Sequence, residues 1–166
     1  MPAASALMPT PACDTVQPRL IVTVGLPGSG KSTWLARQGL NAISSDEIRR
    51  WIADDPTNQT IHRIVFRTVR YLIVQRLAIA QPVTYVDATS LTTWERRPYI
   101  RLGQLYDCDV EAIFFDVPLE VCVARNRQRE RTVPEQAIRE MARRLVPPTL
   151  SEGFSLVTRV AEAITR

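Results

Sequence analysis

The feature that most constrains this sequence is a glycine-rich loop between a short apolar run and a helical segment. Residues Gly25–Ser32 match the pattern Gly-x-x-x-x-Gly-Lys-Ser/Thr in full. Glycines let the backbone turn so tightly that its N–H groups can face the oxygens of a phosphate. The β-rich run Arg19–Val24 precedes the loop, and a helix is predicted over 31–38. This strand–loop–helix context predicts a nucleotide-binding site.

The lysine of the loop, Lys31, is the only lysine in a chain that has 20 arginines. Its ammonium is expected to be solvated and to reach the β- and γ-phosphates, while the Ser32 hydroxyl ligates Mg²⁺. The helix that starts there points the positive end of its dipole at the same anion. The predicted nucleotide-binding residues of the loop are Gly25, Pro27, Gly28, Ser29, Gly30, Lys31, Ser32 and Thr33.

Strands and helices alternate along the rest of the chain. Strands are predicted at 42–43, 82–86, 110–115 and 153–157, and helices at 44–51, 60–80, 92–106, 118–126, 132–145 and in the tail. Capping boxes are predicted at Ser44/Glu47 and Thr132/Glu135. Because this alternation implies a parallel sheet with helices on both faces, the predicted fold class is α/β with four or five strands. Residues 1–18, with four prolines and no basic residue, are predicted to be a disordered leader, and 19–166 one domain.

Composition excludes several classes of protein. With 166 residues, 45% hydrophobic and 23% charged, the chain suits a single globular domain. No apolar run approaches the ~18 residues of a membrane span. Three cysteines without C-x-x-C spacing argue against a disulfide framework or zinc ribbon and fit a reducing cytoplasm. The single histidine, His62, forms no metal cluster and is expected on the exposed face of its helix.

The segment Ile43–Arg49 follows the second predicted strand, so it opens beside the phosphate-binding loop. Asp46 and Arg49 are three residues apart and share one helix face. A carboxylate there could orient a hydroxyl and accept its proton, and the arginine could hold a phosphate on the acceptor. Alternatively, Asp46 only favours the positive end of its helix and Arg49 is solvated. Asp87, which ends the third strand, could lie near a metal, orient an arginine or simply end the strand.

The excess positive charge lies in one segment. Residues 125–144 hold seven arginines and three glutamates, a net charge of +4, whereas the rest of the chain has 14 basic and 14 acidic residues. Such a block is typical of phosphate or nucleic-acid contact, with a solvated helix face as the alternative.

The order of these motifs resembles a known family. Residues 25–34 (GLPGSGKSTW), 44–49 (SSDEIR), 86–89 (VDAT) and 114–118 (FFDVP), followed by Arg125, Arg129 and 133–136 (VPEQ), look like the kinase module of polynucleotide 5′-hydroxyl kinases. The resemblance covers about 19–150 and is greatest to phage-type and bacterial RNA-repair kinases. It implies a P-loop kinase fold with a helical lid at about 125–145.

The resemblance also implies a role for individual residues. Lys31 and Ser32 would bind NTP and Mg²⁺, and Asp46 would be the general base. Arg49 would clamp the acceptor, with Asp87 in support. Arg129, in the lid, would contact the nucleotide and stabilise the phosphoryl group. The implied catalytic residues are therefore Lys31, Asp46 and Arg129.

The expected reaction is ATP- and Mg²⁺-dependent transfer of the γ-phosphate to a hydroxyl, most simply the 5′-OH of RNA or DNA. Two alternatives stay open at this point. The acceptor could be a small molecule such as an antibiotic, sugar or nucleotide-sugar, or the protein could be a nucleotide-dependent switch or ATPase. The sequence does not fix the acceptor, the preferred NTP or the oligomeric state.

Overall fold

The computed structural model describes residues 17–161, which form five strands, six α-helices and one 3₁₀ turn. The predicted leader lies outside the described residues except for 17–18, and the predicted helical tail lies outside them beyond residue 161. The strands are β1 Arg19–Val24, β2 Ala42–Ser44, β3 Val83–Asp87, β4 Asp109–Phe115 and β5 Leu156–Val160. The helices are α1 Lys31–Arg37, α2 Ser45–Ala53, α3 His62–Ala78, α4 Thr93–Tyr106, α5 Leu119–Arg127 and α6 Glu135–Arg144, with the 3₁₀ turn at Leu150–Glu152.

The five strands form one sheet in the order β2-β3-β1-β4-β5, and every neighbouring pair is parallel. The central strand β1 pairs on both sides, with Leu20 opposite Thr84 of β3 and Val110 of β4. A strand with neighbours on both sides and helices on both faces is buried, and in β1 every residue after Arg19 is apolar except the buried Thr23. The predicted α/β fold with a parallel sheet is confirmed.

The two faces of the sheet carry alternate residues of β1. Leu20, Val22 and Val24 face a large core that α3 and α4 cover, and Ile21 lies on the opposite face with Trp34 of α1 packed nearby. Helix α3 contributes one residue per turn to the large core, namely Val65, Val69, Ile73 and Leu77. This four-residue spacing keeps one stripe of α3 buried while its arginines stay outside the core.

Several element boundaries differ from the sequence prediction. Strand β5 starts at Leu156 rather than 153 because Gly153, at φ 110°, closes the 3₁₀ turn, and a Cβ there would lie 2.7 Å from Ile100. The predicted Thr132/Glu135 capping box is wrong. Helix α6 instead starts after Pro134 without a side-chain cap, and the Glu135 carboxylate accepts hydrogen bonds from Arg127 and Arg139.

A buried arginine that the sequence analysis did not single out joins three segments near the lid. Arg96 of α4 is fully buried, and its guanidinium donates two hydrogen bonds to Glu152 at 2.8 and 2.7 Å. The remaining Nη1 donates to the carbonyls of Ser90, Leu91 and Val146. Arg96 therefore ties the loop after β3 to the segment after α6 and to the turn before β5.

Removing this arginine should destabilise the whole domain. Arg96→Met leaves Glu152 and three carbonyls without their donor, so the free energy of unfolding should fall by about 3 kcal/mol in urea titrations. Arg97→Met, at an exposed position one residue away, is the matched control and should change stability by less than about 0.5 kcal/mol. Equal destabilisation by the two variants would contradict the role given to Arg96.

Within residues 17–161, no helix is both long and apolar enough to cross a membrane.

Candidate active site

A cavity of about 510 Å³ opens where β1, β2 and β3 end. Its walls come from five places in the chain: the glycine-rich loop, the start of α2, the start of α3, the end of β3 and the lid segment from α5 to α6. In a parallel sheet the carboxyl ends of all strands lie at one edge, which is where such sites form. The side chains relevant to chemistry on these walls are Lys31, Ser32, Asp46, Arg49, His62, Phe66, Asp87, Arg125, Arg129 and Arg131.

The loop between β1 and α1 has the backbone that its glycines permit. Gly28 has φ 82°, and a Cβ at this position would lie 2.4 Å from the carbonyl oxygen of Cys122 in α5. Only glycine fits so close to another backbone. Gly28 and Gly30 line the cavity with Pro27 and Thr33, whereas Ser29 is fully buried beneath them. The loop thus presents its backbone to the cavity at the N-terminus of α1.

Lys31 is buried, so the expectation of a solvated side chain is wrong. Its ammonium donates hydrogen bonds to the carbonyls of Gly25 at 2.9 Å and Leu26 at 2.8 Å, and lies 3.4 Å from Ser29 Oγ. Burial lowers the pKa of Lys31 to about 8, and Asp87 partly opposes this effect. The carbonyls replace the water that the ammonium loses, and they hold the charge at the floor of the loop.

Ser32 and Asp87 lie together, since Ser32 Oγ donates a 2.6 Å hydrogen bond to Asp87 Oδ2. A hydroxyl and a carboxylate at one point are oxygen ligands of the kind that Mg²⁺ prefers, so these residues fit the metal that the loop motif predicts. The assignment of Asp87 to the acceptor site stays a prediction, and its contact with Ser32 favours the metal side. Residues 17–161 contain no cluster of three or more His, Cys, Asp or Glu that could hold a metal by itself.

Asp46 and Arg49 lie one turn apart at the start of α2. Ser44 caps this helix by accepting a hydrogen bond from the backbone N–H of Glu47, as its spacing predicts. The side chain of Asp46 is 60% exposed and faces the cavity. Arg49, expected to be solvated if it had no role, is only 4% exposed.

The guanidinium of Arg49 is only partly satisfied. Its Nη1 donates a 2.6 Å hydrogen bond to the carbonyl of Asn58, but the buried Nε has no hydrogen-bond partner among the described residues. Burial is the main cause that lowers the pKa of Arg49, and Asp46 opposes it. A buried cation with an unused donor at a cavity wall is suited to binding an anion.

The lid predicted at about 125–145 corresponds to the end of α5, a loop and α6. Asn126 holds the loop closed, because its amide donates to the carbonyl of Val133 at 2.8 Å and accepts from the Val133 N–H at 2.9 Å. Arg125 and Arg129 line the cavity, and Arg129 is exposed. The sequence analysis missed both Asn126 and Arg131.

Arg131 joins the lid to the start of α2 and to the loop that follows α2. Its guanidinium forms an ion pair with Asp46 at 3.1 Å and donates a hydrogen bond to the carbonyl of Pro56. The alternation of arginines at 125, 127, 129 and 131 was visible in the sequence, but nothing in it distinguished Arg131 from Arg127, which instead pairs with Glu135 on the surface. Three lid arginines thus face the cavity, Arg125 and Arg129 by their place in the lining and Arg131 also by direct contact with Asp46.

Comparison with known proteins agrees with this architecture. Residues 20–148 match a family model described as an AAA domain. The chain belongs to this family. It also has the fold of P-loop kinases, and its predicted resemblance to the polynucleotide kinases is confirmed at the level of the fold.

Three solved structures illustrate the range of similar proteins. The first is a chain of the Pnkp1/Rnl/Hen1 RNA repair complex, with 24% identity and a TM-score of 0.61 over 78% of this chain and 44% of that chain. The present chain thus spans less than half the length of that protein. The second is the APS kinase CysC of Mycobacterium tuberculosis in complex with AMPPNP and APS, with 17% identity and a TM-score of 0.53 over 90% and 91%. The third is a gluconokinase from Sinorhizobium meliloti 1021, with 20% identity and a TM-score of 0.56 over 89% and 85%.

The depressed pKa of Lys31 predicts pH-dependent nucleotide binding. The Lys31 ammonium loses its proton as the pH rises through about 8, and only the charged form attracts phosphate strongly. The apparent Kd for ATP should therefore increase about tenfold between pH 7 and pH 9, measured by titration calorimetry. Lys31→Ala should bind ATP weakly and show no such increase. An equal increase in both proteins would assign the titration to another group.

Proposed function

We propose that this protein is an ATP-dependent kinase that transfers the γ-phosphate to the 5′-hydroxyl of RNA or DNA. The observation that carries the proposal is that an exposed carboxylate, Asp46, and a buried arginine, Arg49, lie one turn apart in the cavity that also contains the loop. An acceptor hydroxyl needs a base, and a phosphate on the acceptor needs a cation. A switch or ATPase, whose nucleophile is water, has no acceptor phosphate for Arg49 to bind. Similarity to a chain of an RNA repair complex supports the choice of acceptor.

Each wall of the cavity would have one task in an in-line transfer. The loop backbone and Lys31 would bind the phosphates of the donor. Asp46 would orient the acceptor hydroxyl and take its proton. Arg49 would hold the adjacent phosphate of the acceptor, and Arg129 would neutralise charge on the transferring group. Such transfer depends on positioning and charge neutralisation more than on covalent chemistry.

Ser32 and Asp87 would hold Mg²⁺ at the loop. When bound, Mg²⁺ would neutralise charge on the β- and γ-phosphates of the donor. The short hydrogen bond between the two side chains already sets their oxygens side by side. Lys31, at the floor of the loop, would face the same phosphates.

A small-molecule hydroxyl is the second candidate acceptor. It is favoured by the likeness of the fold to a gluconokinase and to an APS kinase, although at 20% and 17% identity these show the fold alone. Both candidates use the same donor half and the same base. They differ in whether Arg49 and the lid arginines must meet a phosphate on the acceptor.

The acceptor can be identified with γ-labelled ATP and a panel of matched alcohols. We expect label on 5′-OH RNA or DNA oligonucleotides. The KM for the oligonucleotide should rise steeply with salt, because log affinity should fall against log salt concentration with a slope of about −0.7 for each phosphate contacted. The KM for ATP should rise much less. Asp46→Asn should lower kcat by about 10²–10⁴-fold, while Glu47→Gln, its exposed neighbour, should not. Label on a sugar or antibiotic with none on oligonucleotides would replace the proposal by the second candidate.

Arg129 and Arg131 should affect different kinetic constants. Arg129→Ala and Arg129→Lys should lower kcat by about 10²–10³-fold, because lysine lacks the planar fork that spans two oxygens. Arg131→Ala should mainly raise the KM for the acceptor, since Arg131 contacts Asp46 and the Pro56 carbonyl. Arg143→Ala, on the exposed side of α6, is the control. Similar losses in all variants would indicate general electrostatic attraction instead of specific roles.

A further inference from the structure

A pair of aromatic rings lies beside the acceptor half of the cavity. His62 and Phe66, one turn apart at the start of α3, have ring centroids 4.6 Å apart and an interplanar angle of 42°. Both line the cavity that contains Asp46 and Arg49. Phe66 also packs against the main core, which fixes its ring, and His62 is exposed. The roles proposed above for the loop, Asp46, Arg49 and the lid use neither ring.

The rings are linked to Arg49 by a short, ordered loop. Arg49 donates to the carbonyl of Asn58, and the side chain of Asn58 accepts from the N–H and hydroxyl of Thr60. The His62 N–H then donates to the carbonyl of Gln59 as α3 begins. The contacts of residues 58–62 therefore hold the Arg49 guanidinium and the aromatic pair in one arrangement.

The electrostatics suit stacking rather than ionic contact at His62. Burial lowers the pKa of His62, and the nearby Arg49 charge lowers it further, so the imidazole is neutral at neutral pH. A neutral imidazole tilted against a phenyl ring presents an apolar π-surface. Nucleobases stack on such surfaces regardless of their sequence.

We infer that His62 and Phe66 form a nucleobase-binding subsite, which takes the base of the 5′-terminal nucleotide of the acceptor while Arg49 binds the phosphate next to it. The inference rests on the proposed function, because it assumes that the acceptor half binds a polynucleotide end. It narrows that function to acceptors that carry a base. A phosphorylated sugar without a base would contact Arg49 but would not stack on the rings of His62 and Phe66.

Kinetics with base-free acceptors can test the subsite. The probes are a 5′-OH oligonucleotide, the same oligonucleotide with an abasic first nucleotide, and one with an abasic third nucleotide. In the unaltered protein, only the first abasic site should raise the KM, by about 5- to 100-fold. Phe66→Leu and His62→Ala should raise the KM of the intact oligonucleotide, with little change in kcat or in the KM for ATP. Neither variant should raise the KM further for the acceptor that is abasic at its first nucleotide.

One control keeps this test sharp. Tyr71→Leu removes an exposed ring from the same helix outside the cavity and should change nothing. Of the two test variants, His62→Ala alters an exposed side chain and should leave folding intact. If Phe66→Leu raises the KM equally for intact and abasic acceptors, the rings act only through the fold and the inference is overturned. An abasic effect at the third nucleotide instead of the first also overturns it.

A binding measurement separates this inference from the proposed reaction. A 2-aminopurine at the 5′ terminus of the oligonucleotide should lose fluorescence on binding, and Phe66→Leu should abolish that loss. Quenching by the unaltered protein without phosphoryl transfer would contradict the proposed kinase activity and support the base subsite. Transfer without any quenching that depends on Phe66 would support the kinase and overturn the subsite.

Discussion

The parallel pairing of β1 between β3 and β4 determines where the glycine-rich loop, Asp87 and the start of α2 lie. Leu20 pairs with Thr84 on one side and Val110 on the other, and this register aligns the carboxyl ends of the strands. The loop after Val24, the aspartate that ends β3 and the helix that follows β2 consequently meet at one edge. The hydrogen bond between Ser32 and Asp87 connects residues 55 positions apart in sequence, and only this register brings them together. The apolar core on both faces of β1 supports the site and meets it at Ala88 and Phe66.

The sequence predicted the parts of the site that depend on local pattern. The loop, the strands around it and the Ser44 cap follow from residue types at short spacing, and the structure has each of them. Contacts between distant segments left no such signal. Arg96 looks like any other arginine of the chain, yet among the arginines of residues 17–161 it is the one at 0% exposure, because Glu152 and three carbonyls surround it. Arg131 and Arg127 are likewise equivalent in sequence, and only the fold of the lid directs Arg131 to Asp46. The predicted Thr132/Glu135 capping box does not form, because the Glu135 carboxylate accepts hydrogen bonds from Arg127 and Arg139 instead.

The position of Lys31 shows how the loop accommodates a charge inside the protein. The expectation of a solvated ammonium overlooked that the turn forced by Gly28 also directs carbonyls inwards. These carbonyls compensate the lost hydration only in part, which is why burial remains the largest influence on the pKa of Lys31. An ammonium whose remaining partners are neutral gains more from a phosphate than one that is already paired with a carboxylate. The lone lysine thus combines burial, fixed position and an incompletely compensated charge.

The acceptor half is built on different physical grounds from the donor half. It depends on residues 55–61, a loop without helix or strand. Side chains that hydrogen-bond to nearby backbone set the shape of this loop: the Asp55 carboxylate accepts from the Thr57 N–H, and the Asn58 side chain accepts from the Thr60 N–H. Arg49 from α2 and Arg131 from the lid each donate to a carbonyl of this loop, at Asn58 and Pro56. A change in the loop would therefore move both cations and the start of α3 together, while the sheet and the glycine-rich loop stayed in place. For the proposed kinase, this separation would let the donor site stay unchanged while residues 55–66 set the choice of acceptor.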